Sequence, residues 1–236
     1  MSNLKQQLLW INRSEALSLS ESQLEQRIES TIAHTFAWMW GVMLIAFGIA
    51  YAGGTGIIDL PINTSLYWMS WIAGLGIIFL MNMKRQSMSY ATLAGLLLLF
   101  GVLEWYGLTG VFRAYNFWSI YNVFMSSSIL FGVLALVGYH TKIDVARVWP
   151  VLFWSMIALI VSLLVNAFVL QSSGLDMMLS VIGIVIFSGF IIYDMNILRQ
   201  QALWWDSRIE LLMALGLFIN FVNIFLFLLR LVGNQD

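Results

Sequence analysis

Long apolar stretches that are nearly free of charged residues alternate along this chain with short polar segments. An unpaired charge inside the bilayer costs about 2.5 to 3.5 kcal/mol on the insertion scale, so each such stretch of about 20 residues predicts a membrane-spanning helix. The predicted helices cover residues 35–54, 65–83, 88–108, 118–139, 149–170, 175–198 and 209–232. We therefore predict an all-α polytopic membrane protein, a bundle of seven transmembrane helices.

The basic residues give an independent test of the number of spans. With seven spans and a cytoplasmic N-terminus, nine Lys and Arg residues fall on the cytoplasmic side and only Arg113 and Arg230 on the other. The positive-inside rule favours this arrangement, with the C-terminus outside. A six-span chain with a re-entrant last segment is the alternative, since helices that end within the membrane occur in channels and transporters.

The polar residues before the first span predict a separate segment. We expect a cytoplasmic N-terminal segment over residues 1–33, without the apolar core of a secretory signal, and a seven-helix domain over residues 34–236. Ser20 and Gln23 have the spacing of a capping box. Apolar residues four positions apart predict a short amphipathic helix: Leu24, Ile28 and Ile32. The alternative is a solvated tail that leads into the first span.

Composition agrees with a membrane protein and excludes several kinds of chemistry. Hydrophobic residues make up 61% of the chain and charged residues 10%, against about 25% charged in soluble proteins. The absence of cysteine excludes disulfides, thiolate metal sites and cysteine nucleophiles. The net charge is −1 and no cluster of basic residues occurs, so we expect no nucleic acid partner.

Two acidic residues lie inside predicted helices and are candidate functional groups, because an ionisable side chain at membrane depth is expensive to keep. Asp194 lies about a turn from the cytoplasmic end of the sixth helix, and Glu104 lies towards the outer end of the third. Alternatively, Asp194 only accepts hydrogen bonds from a neighbouring helix or extends to the membrane surface. Glu104 is equally interpretable as a pathway residue or as a structural carboxylate.

The last predicted helix carries Gly216, Asn220 and Asn223 on one face. Amides that faced lipid would leave their donors and acceptors unsatisfied, so this face must pack against protein. The last helix is therefore predicted to be central and to be the partner of Asp194. The alternative is that the two amides only hold this helix in place.

Known kinds of membrane enzyme lack their required residues in this chain. A retinal protein needs a Lys in the last helix, and an intramembrane aspartyl protease needs a second carboxylate near Asp194. A rhomboid-like protease needs a His at membrane depth, but His34 and His140 fall at predicted helix ends, and no HExxH or GxSxG string occurs. We expect neither enzymatic activity nor a bound cofactor.

Several strings resemble the transmembrane Bax inhibitor motif family, also called lifeguard proteins. GYHTKIDV at residues 138–145 is similar to that family's GYTTKxDL loop, and residues 166–198 resemble the stretch that ends in YDTQxI. Residues 217–233, LFINFVNIFLFLLRLVG, resemble the terminal LYLDFINLFLFLLRLLG, and Leu103 and Glu104 match Leu-Glu of LEGLTLS. The resemblance covers most of the chain beyond residue 35, with the motifs in the family's order.

The resemblance implies six helices around the last one, and a pH-sensitive calcium leak pathway or an anti-death regulator. In the family a carboxylate pair between helices 6 and 7 senses pH; Asp194 matches its first member, whereas Asn220 stands at the second. The family's arginine in helix 2 has no counterpart before Lys84. An Asp facing Asn is a single titrating site, so pH sensing is expected to be weaker or shifted.

Two functions are therefore carried forward. The first is a calcium leak channel with Asp194 and Asn220 as pH sensor and gate, Asn223 and Glu104 along a polar pathway, and Asp194 as a transient calcium ligand. The second is a non-conducting regulator that binds a membrane protease or a cell-death or stress partner. In either case we expect a monomer or weak oligomer in a bacterial inner membrane.

Overall fold

The structure, a computed structural model, describes residues 20–58, 63–142, 144–202 and 207–233. Seven α-helices run through these ranges: α1 (Glu21–Gly54), α2 (Thr64–Lys84), α3 (Tyr90–Ala114), α4 (Phe117–His140), α5 (Val145–Val165), α6 (Ser173–Gln201) and α7 (Arg208–Val232). Six of them are long and apolar enough to cross a membrane, and α2 adds a shorter apolar stretch. The predicted all-α membrane fold with seven helices is confirmed.

α1 begins well before residue 35 and absorbs the predicted amphipathic helix. Ser20 caps it: the Ser20 hydroxyl accepts from the Gln23 N–H at 3.3 Å, and the Gln23 side chain accepts from the Ser20 N–H at 2.9 Å. Leu24 and Ile28 are buried, so their stripe faces the protein. The short helix is thus the first part of α1, because nothing between residues 28 and 35 breaks it. Residues 1–19 of the predicted N-terminal segment lie outside the described ranges.

α3 continues to Ala114, past the predicted end at residue 108. The Arg113 side chain donates to the Gly53 carbonyl at the end of α1, with Nη2 at 3.1 Å from the oxygen, so the helix can end on a charged residue that has a partner. The extension changes the place of Glu104. It lies near the middle of α3 rather than towards its outer end, which corrects the expected depth.

α7 is the central helix, as predicted. It packs against α1, α3, α4 and α6, and more lightly against α2. More than half of its residues are buried, including Phe218, Phe221 and Phe225. It is one continuous helix that starts at Arg208, whose guanidinium donates to the Gln86 carbonyl, and ends beside Tyr115 at the other end of the bundle. The re-entrant alternative is therefore wrong.

α5 is the most peripheral helix and packs on α6. A π-helical turn, Asn166–Leu170, follows it, and Asn166 closes the connection to α6. The Asn166 amide donates to Asp176 at 2.8 Å and to the Ser172 carbonyl at 3.1 Å, and its oxygen accepts from the Ser172 N–H. This buried amide satisfies the polar groups of the turn.

Helix direction alternates, so the basic residues separate into two groups. Those at the end where α1 begins, called the basic end below, are Arg27, Lys84, Arg85, Lys142, Arg147, Arg199 and Arg208. Arg113 and Arg230 lie at the opposite end.

Candidate functional site

The central feature of the molecule is a hydrogen bond between a carboxylate and an amide on neighbouring helices. Asn220 Nδ2 of α7 donates to Asp194 Oδ2 of α6 at 2.6 Å. Asn220 is 5% exposed and Asp194 is partly buried. Gly216, one turn earlier on α7, leaves room for the carboxylate, because a Cβ there would lie 3.3 Å from the same oxygen, a tight contact. The Asp194 carboxylate therefore rests against bare backbone and one amide.

The structure confirms the predicted contact between Asp194 and the last helix. The carboxylate turns towards α7 rather than extending to the membrane surface. A hydrogen bond accepted by Asp194 is consistent with both predicted roles, the pH sensor and the structural contact.

Asn223 does not join this contact. Its amide donates to the Ile219 carbonyl of its own helix at 2.8 Å. Three residues on an α-helix rotate a side chain by about 60° from the starting direction, which turns Asn223 away from Asp194. The predicted polar seam is therefore reduced to Gly216 and Asn220.

Glu104 is also separate from the pair. Its carboxylate faces α2, where a Cβ at Gly74 would lie 3.5 Å from Glu104 Oε1. Within the described ranges it makes no hydrogen bond or ion pair. Glu104 and Asp194 therefore do not contact one another, and a polar pathway that includes both residues stays a prediction.

The end of α6 that carries Asp194 is tied to the end of α4 by residues that the sequence did not single out. Asn196 Nδ2 donates to the Thr141 carbonyl, and Arg199 Nη1 donates to the Tyr139 carbonyl at 2.7 Å. These bonds satisfy carbonyl groups that have no partner within α4, as helix ends require. Gly138 allows the approach, since a Cβ there would lie 2.6 Å from the Ile192 carbonyl oxygen. The GYHTKIDV string marks the end of α4 in the sequence, but nothing in the string identifies α6 as the helix that it contacts.

The start of α7 is tied to α1. His34 Nδ1 lies 3.4 Å from Glu210 Oε1, with the His34 side chain 65% exposed and that of Glu210 12% exposed. Together with Arg208, this contact fixes α7 at the basic end. The position of His34 at a predicted helix end had argued only against a rhomboid-like protease and gave no sign of this contact.

The site offers few ligands for a metal ion. No group of three or more His, Cys, Asp or Glu residues that could hold a metal occurs in the part of the chain that the structure describes. Calcium in proteins takes 6 to 8 oxygen ligands, usually with several carboxylates. Asp194 supplies one carboxylate, so the pair by itself does not make up such a site.

The fold and the pair define a polytopic α-helical membrane protein whose central last helix bonds to an acid on its neighbour. The family model described as inhibitor of apoptosis-promoting Bax1 matches residues 28–236. The chain belongs to this family, which confirms the resemblance noted in its motifs.

Bacterial relatives match over nearly their whole length. The inner membrane protein YbhL of Escherichia coli strain K12 is 29% identical over 228 residues, covering 92% of this chain and 97% of YbhL. An uncharacterised protein of Deinococcus radiodurans is 28% identical over 233 residues, covering 96% of this chain and all of that protein. A third, uncharacterised relative from Borreliella burgdorferi is 28% identical over 229 residues, covering 93% and 98%.

Proposed function

We propose that this protein is a cation leak pathway, chiefly for calcium, in a bacterial inner membrane, with its N-terminus and basic end in the cytoplasm. The observation that carries the proposal is the hydrogen bond between Asp194 and Asn220, which joins the central helix to α6. YbhL bears the name of an inner membrane protein, and the basic residues favour the orientation. We propose neither catalysis nor a bound cofactor.

The structure is interpreted as the closed state of this pathway. Aromatic side chains pack around α7: the ring centroids of Phe124 and Phe221 are 5.5 Å apart, and those of Phe47 and Phe225 are 5.2 Å apart. These rings fill the space between α7 and its neighbours at both positions. Conduction therefore requires α7 to move relative to its neighbours, and the bond to Asp194 is the polar contact that such a movement would break.

The Asp194–Asn220 pair should respond less steeply to pH than two carboxylates. The amide can donate its NH₂ to an ionised Asp194 or turn its oxygen to a protonated one, so a hydrogen bond forms in both states. Other groups near the α6 end are already engaged: Arg199 bonds to α4, Glu210 of α7 faces His34, and Tyr193 stacks near Trp149 of α5.

The charged groups at the start of α5 are paired with one another. Asp144 just before α5 pairs with Arg147, whose Nε lies 2.9 Å from Asp144 Oδ2. Titration of Asp194 is then the main way in which pH can act on the α6–α7 contact from within the bundle.

Replacing Asp194 by Asn tests the role of the carboxylate. We expect calcium flux into proteoliposomes to fall at least about tenfold, because the variant loses the only charged ligand of the pair and a cation must then be desolvated without one. The pH profile of the remaining flux should flatten. Flux is measured with a calcium dye over pH 5 to 9.

The matched control for this experiment is Asp144→Asn, which removes an exposed carboxylate and a surface ion pair of small energetic worth. It should conduct as the unmodified protein does. Equal flux and an equal pH profile in Asp194→Asn would remove Asp194 from the pathway.

The single carboxylate of the pair also supports a second candidate, a non-conducting regulator that binds a membrane protease or a cell-death or stress partner. This function needs the polar contact only as a structural lock. Flux no higher than in empty liposomes, together with a specific protein recovered by crosslinking in native membranes, would favour it over the channel.

A further inference from the structure

An apolar groove opens between α1 and α4 at the basic end of the bundle, away from the Asp194–Asn220 contact. It has a volume of about 510 Å³. Ile32, Ala33 and Phe36 form one wall, Gly132 and Ala135 form the other, and buried Met195 of α6 lies between them. The volume is within the range of small-molecule sites in proteins.

The groove has a closed deep end and an open shallow end. Phe36 and Phe131 meet edge to face with ring centroids 6.1 Å apart, which joins α1 to α4 at the deep end. Towards the basic end, the small residues Ala33 and Ala135 leave the groove open between the two helices. Each wall extends over eight residues from the rim, Glu29 to Phe36 on α1 and Tyr139 to Gly132 on α4, or about 10 Å of helix. A narrow apolar slot of this length fits part of an extended hydrocarbon chain.

An exposed carboxylate lies at the rim of the groove. Glu29 is exposed, lines the groove and makes no ion pair within the described ranges. Glu25, one turn earlier on α1, adds a second exposed carboxylate. On the opposite wall the Arg199 guanidinium lies over the Tyr139 ring, 5.5 Å from its centroid, so the rim carries a positive as well as a negative group. The Glu29 carboxylate therefore complements the positive group of a lipid headgroup near the membrane surface.

We propose that the groove binds one acyl chain of a phospholipid from the leaflet at the basic end, with a primary amine in the headgroup paired with Glu29. The chain lies between Ala33 and Gly132 and ends against Phe36 and Phe131. The apolar span of α4 borders the groove, so hydrocarbon reaches it from the side without crossing water. This site is independent of whether the protein conducts ions.

Native mass spectrometry of the full chain tests the site. The protein is taken from bilayers of equal phosphatidylethanolamine and phosphatidylglycerol, and the lipid that it retains is counted. Gly132→Phe should reduce retention at least about tenfold, because excluding about two methylenes of a chain costs roughly that factor. A Cβ at Gly132 meets nothing within 4 Å, so the added ring fills the groove rather than the helix interface.

The matched control is Gly95→Phe, at an exposed glycine on α3 whose Cβ also meets nothing within 4 Å. Ala33→Trp fills the groove from the opposite wall, so that a folding defect in one variant leaves the other to decide. Glu29→Gln should keep the total lipid but remove the preference for phosphatidylethanolamine. Retention in both filled variants equal to that of Gly95→Phe overturns the site, and an unchanged lipid ratio in Glu29→Gln overturns the headgroup.

Discussion

Replacing Asn220 by Asp is expected to make the stability of the α6–α7 contact strongly pH-dependent. The new carboxylate would lie where the amide now donates to Asp194 at 2.6 Å. Two carboxylates so close are stable when they share a proton and repel when both are ionised. Two unit charges at 4 Å interact by about 4 kcal/mol at an effective dielectric constant of 20, so the effect should be large.

The sign follows from proton binding. At neutral pH the folded variant binds more protons than its unfolded chain, because the pair keeps its shared proton, and stability therefore falls as pH rises. The thermal midpoint of the purified variant in detergent should drop by about 10 °C between pH 5 and pH 9, relative to the unmodified protein. If the pair gates a cation path, flux should rise over the same range.

Two variants separate this coupling from the mere addition of an acid. Asn223→Asp places a carboxylate on the same helix, at a position whose amide contacts its own backbone, and should lack the steep dependence. The double variant Asn220→Asp with Asp194→Asn restores one acid and one amide and should return to the shallow profile. A steep profile in the double variant would show that the two residues are not coupled.

Replacing Gly138 by Ala is expected to destabilise the fold by about 2 kcal/mol or more. The added Cβ would lie 2.6 Å from the Ile192 carbonyl oxygen and 2.8 Å from Ile192 Cα. Both atoms belong to the backbone of α6 and cannot turn aside, so α4 and α6 must separate, which is the usual cost of overpacking or more. Separation would also strain the bonds from Asn196 and Arg199 to the end of α4.

Gly132→Ala is the matched control for this change, on the same helix and with open space around its Cβ. It should be neutral or stabilising by up to about 1 kcal/mol, because Ala favours a helix more than Gly does. The two variants are compared by the midpoint of heat-induced unfolding in one detergent. Equal midpoints would show that α4 and α6 do not depend on this close approach.

The positions of Asp194 and Glu104 could be predicted from the sequence to different extents. Asp194 was predicted to contact the last helix, because a carboxylate and amides at membrane depth both require polar partners. The structure confirms this contact. Glu104 lies near the middle of α3 rather than towards its outer end, because the helix continues past residue 108 and includes the charge of Arg113. The structure satisfies that charge with a carbonyl at the end of α1, which no local pattern could indicate.

The membrane class, the seven helices and the central place of the last helix could be predicted from the residues alone. Each of these predictions rests on the free energy of leaving charges or polar groups in hydrocarbon. That free energy can be estimated from consecutive residues of the chain. Three features could be read only from the packed helices: Asn220 and not Asn223 contacts Asp194, Asn196 and Arg199 join α6 to α4, and a groove opens beside α1. Those outcomes depend on helix rotation and on the distances between backbones, which are set jointly by side chains far apart in the chain.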